Sequence, residues 1–172
     1  MKRSYASTQV NLPSFEAASI RTLGQNIAKR DLAEEGRETD PHITVKYGLH
    51  TNDPGKVRRV LANEPPVEVT LGATSFFPGS ESGNGDVVKV DVDSADLRRL
   101  HKKLSGALAH TDTHPGYKPH ATVAYVKTGK GKKYAGDTTL AGRTVTIKQV
   151  MFCRKNGSQI AIPLTGKKEL DG

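Results

Sequence analysis

Apolar and polar residues alternate along several short stretches of the chain, which is the pattern of half-buried β-strands. In the clearest case Val88, Val90 and Val92 alternate with Lys89 and Asp91. An Asn-Gly pair, the commonest signal of a tight hairpin turn, separates the last two stretches. The pattern predicts strands over residues 7–12, 41–49, 67–77, 88–92, 120–127, 144–153 and 159–164.

Three other segments carry apolar residues at helical spacing. Residues 13–29 begin with Pro13, which is favoured in the first turn of a helix. Asp53 is suited to cap a helix over residues 54–62. Ser94 is suited to cap a third helix, whose leucines recur on one face. The sequence therefore predicts three helices between the strands.

The segments between these elements are rich in charged residues, glycine or proline. We expect a solvated loop with one helical turn at 30–40, a flexible connection at 78–85, a loop at 110–119 and an irregular segment at 128–142. The predicted order is β-α-β-α-β-β-α-β-loop-β-β. Because strands outnumber helices, this order favours an α+β fold with antiparallel or mixed sheets. At 172 residues, we expect a single domain over 1–172.

The amino-acid composition of the chain limits the kinds of molecule that it is expected to bind. The chain has 26 Lys and Arg residues against 18 Asp and Glu residues, and this net charge of +8 favours partners that carry phosphate. The single cysteine, Cys153, excludes an internal disulfide framework, and we expect it to pack as a small apolar residue. No apolar run is long enough to span a membrane, and residues 1–9 lack the core of a secretion signal. We therefore expect a cytoplasmic protein that needs neither a membrane nor an obligate protein partner.

Two segments of the chain nearly repeat each other at a separation of 78 residues. Pro-His-Ile-Thr-Val-Lys-Tyr at 41–47 and Pro-His-Ala-Thr-Val-Ala-Tyr at 119–125 are identical at five of seven positions. Each lies on a predicted strand, where side chains two positions apart face the same way. His42 therefore shares a face with Thr44, and His120 shares one with Thr122. A lone His-x-Thr would be a weak signal, but the matched context of this pair indicates function.

Two histidines with hydroxyl companions suit the cleavage of a phosphodiester. The reaction needs a base that activates a nucleophile and an acid that protonates the leaving oxygen, and imidazoles can do both near neutral pH. A hydroxyl two residues along each strand can donate a hydrogen bond to a phosphate oxygen and hold it between the rings. This chemistry requires no metal and no other cofactor.

The paired His-x-Thr strands, in a chain of this size and element order, resemble the 2H phosphoesterase superfamily. The resemblance implies a bilobal α+β fold, in which two pseudo-symmetric antiparallel or mixed sheets with outer helices flank a central groove. It also implies roles for four residues of this chain. His42 and His120 would be the acid–base pair, and Thr44 and Thr122 would hold the phosphate.

A longer similarity, over residues 4–13, 31–50 and 116–125, resembles a phage-associated branch of that superfamily. This branch includes the anti-CBASS nucleases, which destroy cyclic oligonucleotide signals made by infected bacteria. The resemblance implies hydrolysis of cyclic di- or oligonucleotides, in the host cytoplasm if a phage encodes the chain. Two alternatives stay open. One is the opening of 2′,3′-cyclic phosphates on RNA ends or small cyclic nucleotides, and the other is nucleotide binding without turnover.

Four further residues are candidates for contact with the substrate. Because the chain has no Trp, stacking on nucleobases falls to Tyr or Phe, and we favour Tyr5 and Tyr117. Lys46 lies an even number of positions after His42 and can share its face. Lys46 and Lys118 are therefore candidates for contact with phosphate.

Three other features have structural interpretations. Tyr47 and Tyr125 stand an odd number of positions after their histidines, so ideal strands would turn both rings toward the core. The lysines at 127–133 lack the Gly-x-x-x-x-Gly-Lys-Ser/Thr motif, and we expect a solvated or steering loop. The His-Thr-Asp-Thr-His run at 110–114 lies in a predicted loop before Pro115, which argues against a preformed metal site and leaves a lid over the substrate as an alternative.

Overall fold

In the part of the chain that the structure describes, an antiparallel sheet has three helices packed against it. A computed structural model describes residues 3–79 and 85–168 of the chain. Short 3-10 turns cover Lys29–Asp31 and Lys132–Tyr134. The helices and strands are β1 (Ala6–Asn11), α1 (Ser14–Gln25), β2 (Leu32–Arg37), β3 (His42–Leu49), α2 (Pro54–Leu61), β4 (Val67–Phe77), β5 (Asp86–Asp93), α3 (Ala95–Ala107), β6 (His120–Val126), β7 (Thr144–Ile147), β8 (Gln149–Cys153) and β9 (Gln159–Pro163).

The order of the strands shows two similar halves. The sheet runs β7-β4-β5-β6-β3-β1-β8-β9, and β2 pairs with β6. All of these pairings are antiparallel. The unit β1-α1-β3 in one half corresponds to β5-α3-β6 in the other. The predicted α+β class is confirmed, and the halves join through β3 and β6, where Ile43 is the partner of Ala121.

The local signals for helix starts and for the hairpin are confirmed. Asp53 accepts a hydrogen bond from the Gly55 amide at 2.9 Å, and Ser94 accepts one from the Leu97 amide at 3.1 Å. The turn between β8 and β9 places Gly157 at φ 90°, a conformation that glycine adopts without steric penalty. These elements therefore begin and turn where side-chain chemistry near in sequence places them.

Residues 30–40, predicted as a loop with one helical turn, form that turn and then the strand β2. This strand pairs with β6, where Leu32 is the partner of Val126 and Arg37 is the partner of Ala124. The side chain of Arg37 donates hydrogen bonds to two carbonyl oxygens, those of Gly24 and Ile27. The helical turn is confirmed, whereas the prediction of a loop over the rest of the segment was wrong because β2 has no apolar alternation and its pairing depends on a strand far along the chain.

The single strand predicted over 144–153 is divided into β7 and β8. β7 pairs with β4 at one edge of the sheet, whereas β8 pairs with β1 near the other edge. Because only Lys148 separates the two strands, the sheet must curl until its ends approach each other. Of the connection predicted at 78–85, residues 80–84 lie outside the described residues.

The core lies between the sheet and the helices. Val88 and Val90 of β5 and Leu97, Leu100 and Leu104 of α3 are buried in one apolar cluster, as their periodicity predicted. Cys153 is also buried, and burial raises the pKa of its thiol. None of the helices in the described segments is long and apolar enough to cross a membrane.

Candidate active site

The two His-x-Thr segments lie on adjacent strands at the junction of the halves. Ile43 and Ala121, the middle residues of the two segments, are antiparallel partners. In that register His42 stands opposite Thr122, and Thr44 stands opposite His120. Directly opposed residues have Cβ atoms about 5 Å apart, and diagonal neighbours are separated by roughly 7–8 Å. The fold thus brings both histidines and both threonines onto one small area of the sheet.

Both imidazoles are held in the same way. His42 Nδ1 donates a hydrogen bond to the carbonyl of Asp40 at 2.8 Å, and His120 Nδ1 donates one to the carbonyl of Lys118 at 2.7 Å. A carbonyl can only accept, so each neutral ring carries its proton on Nδ1 and has a free lone pair on Nε2. Each Nε2 atom can therefore take up or release a proton.

A bulge follows each His-x-Thr and reverses the facing of the next residues. Gln9 is the partner of Thr44 and Thr8 is the partner of Lys46, which leaves Val45 as an extra residue. The same bulge occurs on β6, where the pairing with β5 leaves Val123, 78 positions after Val45, as an extra residue. One extra residue exchanges the two faces of a strand beyond it.

The bulges change the positions of two tyrosines that the sequence had assigned to the core. Tyr47 is 38% exposed, and both Tyr47 and Tyr125 line the cavity beside Thr44 and Thr122. The prediction that their rings pack into the core was wrong because it assumed unbroken alternation. The cavity therefore receives one tyrosine from each half.

The cavity between the halves has a volume of about 830 Å³. Thr44, His120 and Thr122 line it, and His42, opposite Thr122, is not among the lining residues. A second cavity of about 680 Å³, near Lys56 and Arg59, contains none of the predicted site residues. The first cavity is therefore the candidate site.

The predicted stacking residues already have aromatic neighbours. The Tyr117 ring stacks on His101 with centroids 4.0 Å apart, and its hydroxyl donates to the Thr44 carbonyl at 2.8 Å. Burial raises the pKa of the Tyr117 phenol. Tyr5 lies against Tyr47 and His50, with both centroid distances 5.9 Å. Tyr117 lines the cavity, whereas Tyr5 contacts it through Tyr47.

The two predicted phosphate contacts differ in their surroundings. Lys46 lines the cavity, but its side chain is only 4% exposed and its Nζ lies 2.7 Å from Asp112 Oδ1. This hydrogen bond from Lys46 lowers the pKa of Asp112. Lys118 also lines the cavity, and its Nζ lies 6.0 Å from the centroid of the Phe77 ring. Lys46 therefore ties the 110–119 loop to β3, while Lys118 lies nearer to His120.

Sequence reasoning missed a polar group beside His120. On β5, Asp91 is the partner of His120 and Lys89 is the partner of Thr122. Lys89 Nζ donates hydrogen bonds to Asp91 Oδ1 at 2.5 Å and to Ser75 Oγ at 2.6 Å. The alternation of β5 places Lys89 and Asp91 away from the core, but it does not reveal which strand lies beside them.

The surroundings of His120 favour its neutral form. Burial is the largest cause that lowers the pKa of His120, and the charges of Lys89 and His42 lower it further. The hydrogen bond to Lys118 and the charge of Asp91 oppose the shift. Phe77 contributes to the burial, because its ring meets the imidazole edge-on with centroids 4.9 Å apart.

Two other sequence motifs, the lysine-rich loop at 127–133 and the His-Thr-Asp-Thr-His run at 110–114, are not arranged to cradle a phosphate or to bind a metal ion. In the Gly- and Lys-rich loop, the amides of Gly129 and Gly131 donate to the buried carboxylate of Asp86, which occupies donors that a phosphate would need. At 110–114, His110 Nε2 lies 3.6 Å from Asp112 Oδ1. No group of three or more His, Cys, Asp or Glu residues within 3–79 and 85–168 is arranged to hold a metal ion.

Three solved structures have similar folds. The TT0787 protein of Thermus thermophilus aligns with a TM-score of 0.65 and 15% identity, covering 95% of this chain and 100% of that one. Kluyveromyces marxianus Usb1 aligns at 0.61 and 10%, covering 94% and 99%. E. coli LigT complexed with phosphate aligns at 0.57 and 16%, covering 96% of each. At these identities the similarity concerns the fold.

Sequence comparison identifies the family. A search of curated protein sequences found no significant match. The sequence model of the 2′-5′ RNA ligase superfamily, however, matches residues 13–139, which include both His-x-Thr segments. The fold agrees with that match, because the strand pair that carries these segments joins two similar halves. The chain belongs to the 2′-5′ RNA ligase superfamily.

Proposed function

We propose that the protein is a metal-independent phosphodiesterase in which His42 and His120 are the acid–base pair. The observation that carries the proposal is the β3–β6 register, which sets each histidine opposite the threonine of the other strand. A phosphate above this group can meet Nε2 atoms on two sides and hydroxyl donors from Thr44 and Thr122.

The reaction needs one proton acceptor and one proton donor. One neutral imidazole takes a proton from the attacking hydroxyl, which belongs to water or to a ribose 2′-OH. The oxygen forms a bond to phosphorus, the bond to the leaving oxygen breaks, and the other imidazole, protonated at the start, gives its proton to that oxygen. Hydrogen bonds from the two threonines stabilise the charge on the phosphate oxygens. At the end the histidines have exchanged protonation states.

Cyclic di- and oligonucleotides are the substrate class that we propose. A cavity of about 830 Å³ lies near the upper end of the range for small-ligand sites, which suits more than one nucleotide. Tyr47 and Tyr125 supply one aromatic ring from each half, and the net charge of +8 attracts phosphate. Together with the resemblance of residues 4–13, 31–50 and 116–125 to the branch that includes the anti-CBASS nucleases, these features support a role in removing CBASS-type signals.

A second candidate is the hydrolysis of 2′,3′-cyclic phosphates on RNA ends or on small cyclic nucleotides. The membership in a superfamily described by 2′-5′ RNA ligation favours substrates of this kind. The same four side chains would act on either class, so the difference lies in what the rest of the cavity holds. Nucleotide binding without turnover is the remaining alternative.

The test is a substrate panel read by mass spectrometry. The panel contains cyclic dinucleotides, cyclic trinucleotides, 2′,3′-cyclic mononucleotides and RNA that ends in a 2′,3′-cyclic phosphate, each incubated with and without EDTA. His120→Ala is the inactive control. We expect cleavage of cyclic di- or trinucleotides with a bell-shaped dependence of rate on pH, unchanged by EDTA.

Each other outcome rejects a defined part of the proposal. Cleavage of the 2′,3′-cyclic phosphates alone supports the second candidate. Loss of activity on chelation rejects the metal-independent reaction. Ligands that bind and are recovered intact after heat denaturation support the non-catalytic alternative.

A further inference from the structure

The strands that flank the two His-x-Thr segments carry corresponding pairs of polar residues. In the first half, Gln9 of β1 is the partner of Thr44, and Asn11 is the partner of His42. In the second half, Lys89 of β5 is the partner of Thr122, and Asp91 is the partner of His120. The two halves thus place an amide pair beside one histidine and an ion pair beside the other.

Each pair is closed by its own hydrogen bond. Gln9 Nε2 donates to Asn11 Oδ1 at 2.7 Å. Because both side chains are amides, the first pair is neutral. Lys89 donates to Asp91 and to Ser75, and Ser75 Oγ donates to the same Asp91 oxygen at 2.6 Å. Both pairs are joined by a direct hydrogen bond, but the second pair is charged and also includes Ser75.

The ammonium group of Lys89 is fixed where it can act on His120. Lys89 is buried, and its Nζ lies 4.4 Å from the centroid of Phe77, whose ring is nearly perpendicular to that of His120. The Asp91 side chain is 51% exposed, so water screens its charge more than it screens that of Lys89. The cation therefore has the stronger effect of the two on the neighbouring imidazole.

We propose that Lys89 is a positioning residue that gives the base role to His120 and leaves the acid role to His42. This inference rests on the proposed function. A fixed cation disfavours a second positive charge on His120, so its Nε2 stays free to accept the proton of the attacking hydroxyl. His42, beside a neutral amide pair, then gives its proton to the leaving oxygen.

The electrostatic surroundings of His120 agree with this assignment. The charged or titratable groups that face it are Lys89 and Asp91 from β5, His42 from β3, and Lys118 from the preceding loop. The charges of Lys89 and His42 both lower the pKa of His120, whereas the charge of Asp91 raises it. Removal of Lys89 should therefore make His120 easier to protonate.

The test measures the protonation of His120 directly. Histidine ring signals are followed by NMR as a function of pH in the wild type and in Lys89→Gln, with His120→Asn used to assign the signal. We expect the midpoint of His120 to move to higher pH in Lys89→Gln. The matched control Lys102→Gln removes an exposed lysine of α3 and should leave the midpoint where it is.

Two more variants separate electrostatics from damage to the fold. Lys89→Arg keeps the charge and should restore the wild-type midpoint. The double variant Lys89→Gln/Asp91→Asn copies the Gln9–Asn11 pair, leaves no unpaired carboxylate, and should also move the midpoint upward. A His120 midpoint that stays unchanged or falls in both folded Lys89→Gln variants overturns the proposal.

Kinetics then separate this inference from the proposed function. In Lys89→Gln the ascending limb of the kcat/KM profile should move to higher pH, so that activity falls more at pH 6 than at pH 8, while the descending limb stays in place. A merely structural role would lower the whole profile without moving a limb. A descending limb that moves instead contradicts the assignment of the base. Absence of cleavage in the wild type would reject the proposed function, and the NMR result would still report whether Lys89 controls His120.

Discussion

β3 and β6 resemble each other in backbone as well as in sequence. In both strands the histidine and threonine are half-buried, the next two positions are buried, and the tyrosine faces the cavity. The cause is the same in each, because one extra residue follows the His-x-Thr at Val45 and at Val123. The repeat therefore encodes a bulged strand, and the bulge is what brings a tyrosine into each side of the site.

The segments that lead into these strands differ. In the first half the segment forms β2 and pairs with β6, whereas in the second half it forms a loop beside β3, where His110 bridges to Leu49. Lys46 holds that loop through Asp112, and the corresponding residue of β6 is Ala124. Each half thus covers part of the strand of the other. The chemical groups are therefore duplicated in the two halves, while their neighbours are not.

The largest expected effect is a loss of kcat on substitution of either histidine, which tests whether both halves take part in the chemistry. Acid and base contributions are each typically worth about 10²–10⁴ in rate. We expect His42→Ala and His120→Ala each to lower kcat by a factor in that range. The double variant should lose much less than the product of the two, because the residues act as one unit.

The control for the histidine variants is His50→Ala. His50 lies outside the cavity, against Tyr5 and Thr111, and its loss should leave kcat within a few-fold of the wild type. Full activity in either of the two site variants would mean that only one half is catalytic.

The next effect concerns the paired hydroxyl groups. Thr44→Val and Thr122→Val each remove one hydrogen-bond donor with little change in shape, and the loss of such a donor typically lowers kcat by about 10²–10³. Steady-state kinetics on the best substrate of the panel measures this loss. Thr146→Val, on the exposed side of β7, is the control. If only one threonine matters, the phosphate lies closer to one half than to the other.

Substitution of the two tyrosines should have a smaller effect, which shows whether each half binds one base of the substrate. A base stacked on an aromatic ring is worth about 1–3 kcal/mol, or roughly 5- to 150-fold in affinity. We expect Tyr47→Leu and Tyr125→Leu each to raise KM by a factor in this range for a substrate with two bases. For a substrate with one base, only one of the two variants should raise KM.

Phe15→Leu is the control for the tyrosine variants, because Phe15 is a 61% exposed aromatic residue on α1. It should leave KM unchanged. If KM stays unchanged in both tyrosine variants, the bases of the substrate do not stack on these two rings.

The smallest effect is a dependence of stability on pH that originates in the second half. Burial is the main cause that lowers the pKa of both His101 and His120. Since an unfolded histidine has a pKa of about 6.5, the unfolded chain binds protons below that pH that the folded chain resists. The free energy of unfolding should therefore decrease as the pH falls through about 6.5 toward the folded pKa values.

Urea denaturation between about pH 8 and pH 5.5 measures this decrease, well above the range in which the carboxylates titrate. His101→Leu places at this position the residue type found 78 positions earlier, at Leu23. Its curve should be flatter than that of the wild type. A steeper curve would show that protonation of His101 stabilises the fold.

Sequence reasoning succeeded where the deciding contacts are local and failed where they are distant. The caps at Asp53 and Ser94 and the hairpin at Gly157 involve residues within a few positions of one another. The β2 strand, the division of β7 from β8, and the facing of Tyr47 and Tyr125 all depend on pairing between distant strands. Periodicity assumes an unbroken ladder, and here bulges and a curled sheet interrupt it.

The repeat of Pro-His-x-Thr-Val-x-Tyr was enough to predict the chemical groups of the candidate site, because it contains both histidines and both threonines and the alternation of the strands that carry them. Which groups lie beside them depends on the pairing of strands that are distant in sequence. The antiparallel partnership of Ile43 with Ala121 sets each histidine across from the other threonine. The pairing of β5 with β6 places Lys89 and Asp91 next to His120. Strand order depends on the free energy of the whole sheet, and no local segment of the chain contains it.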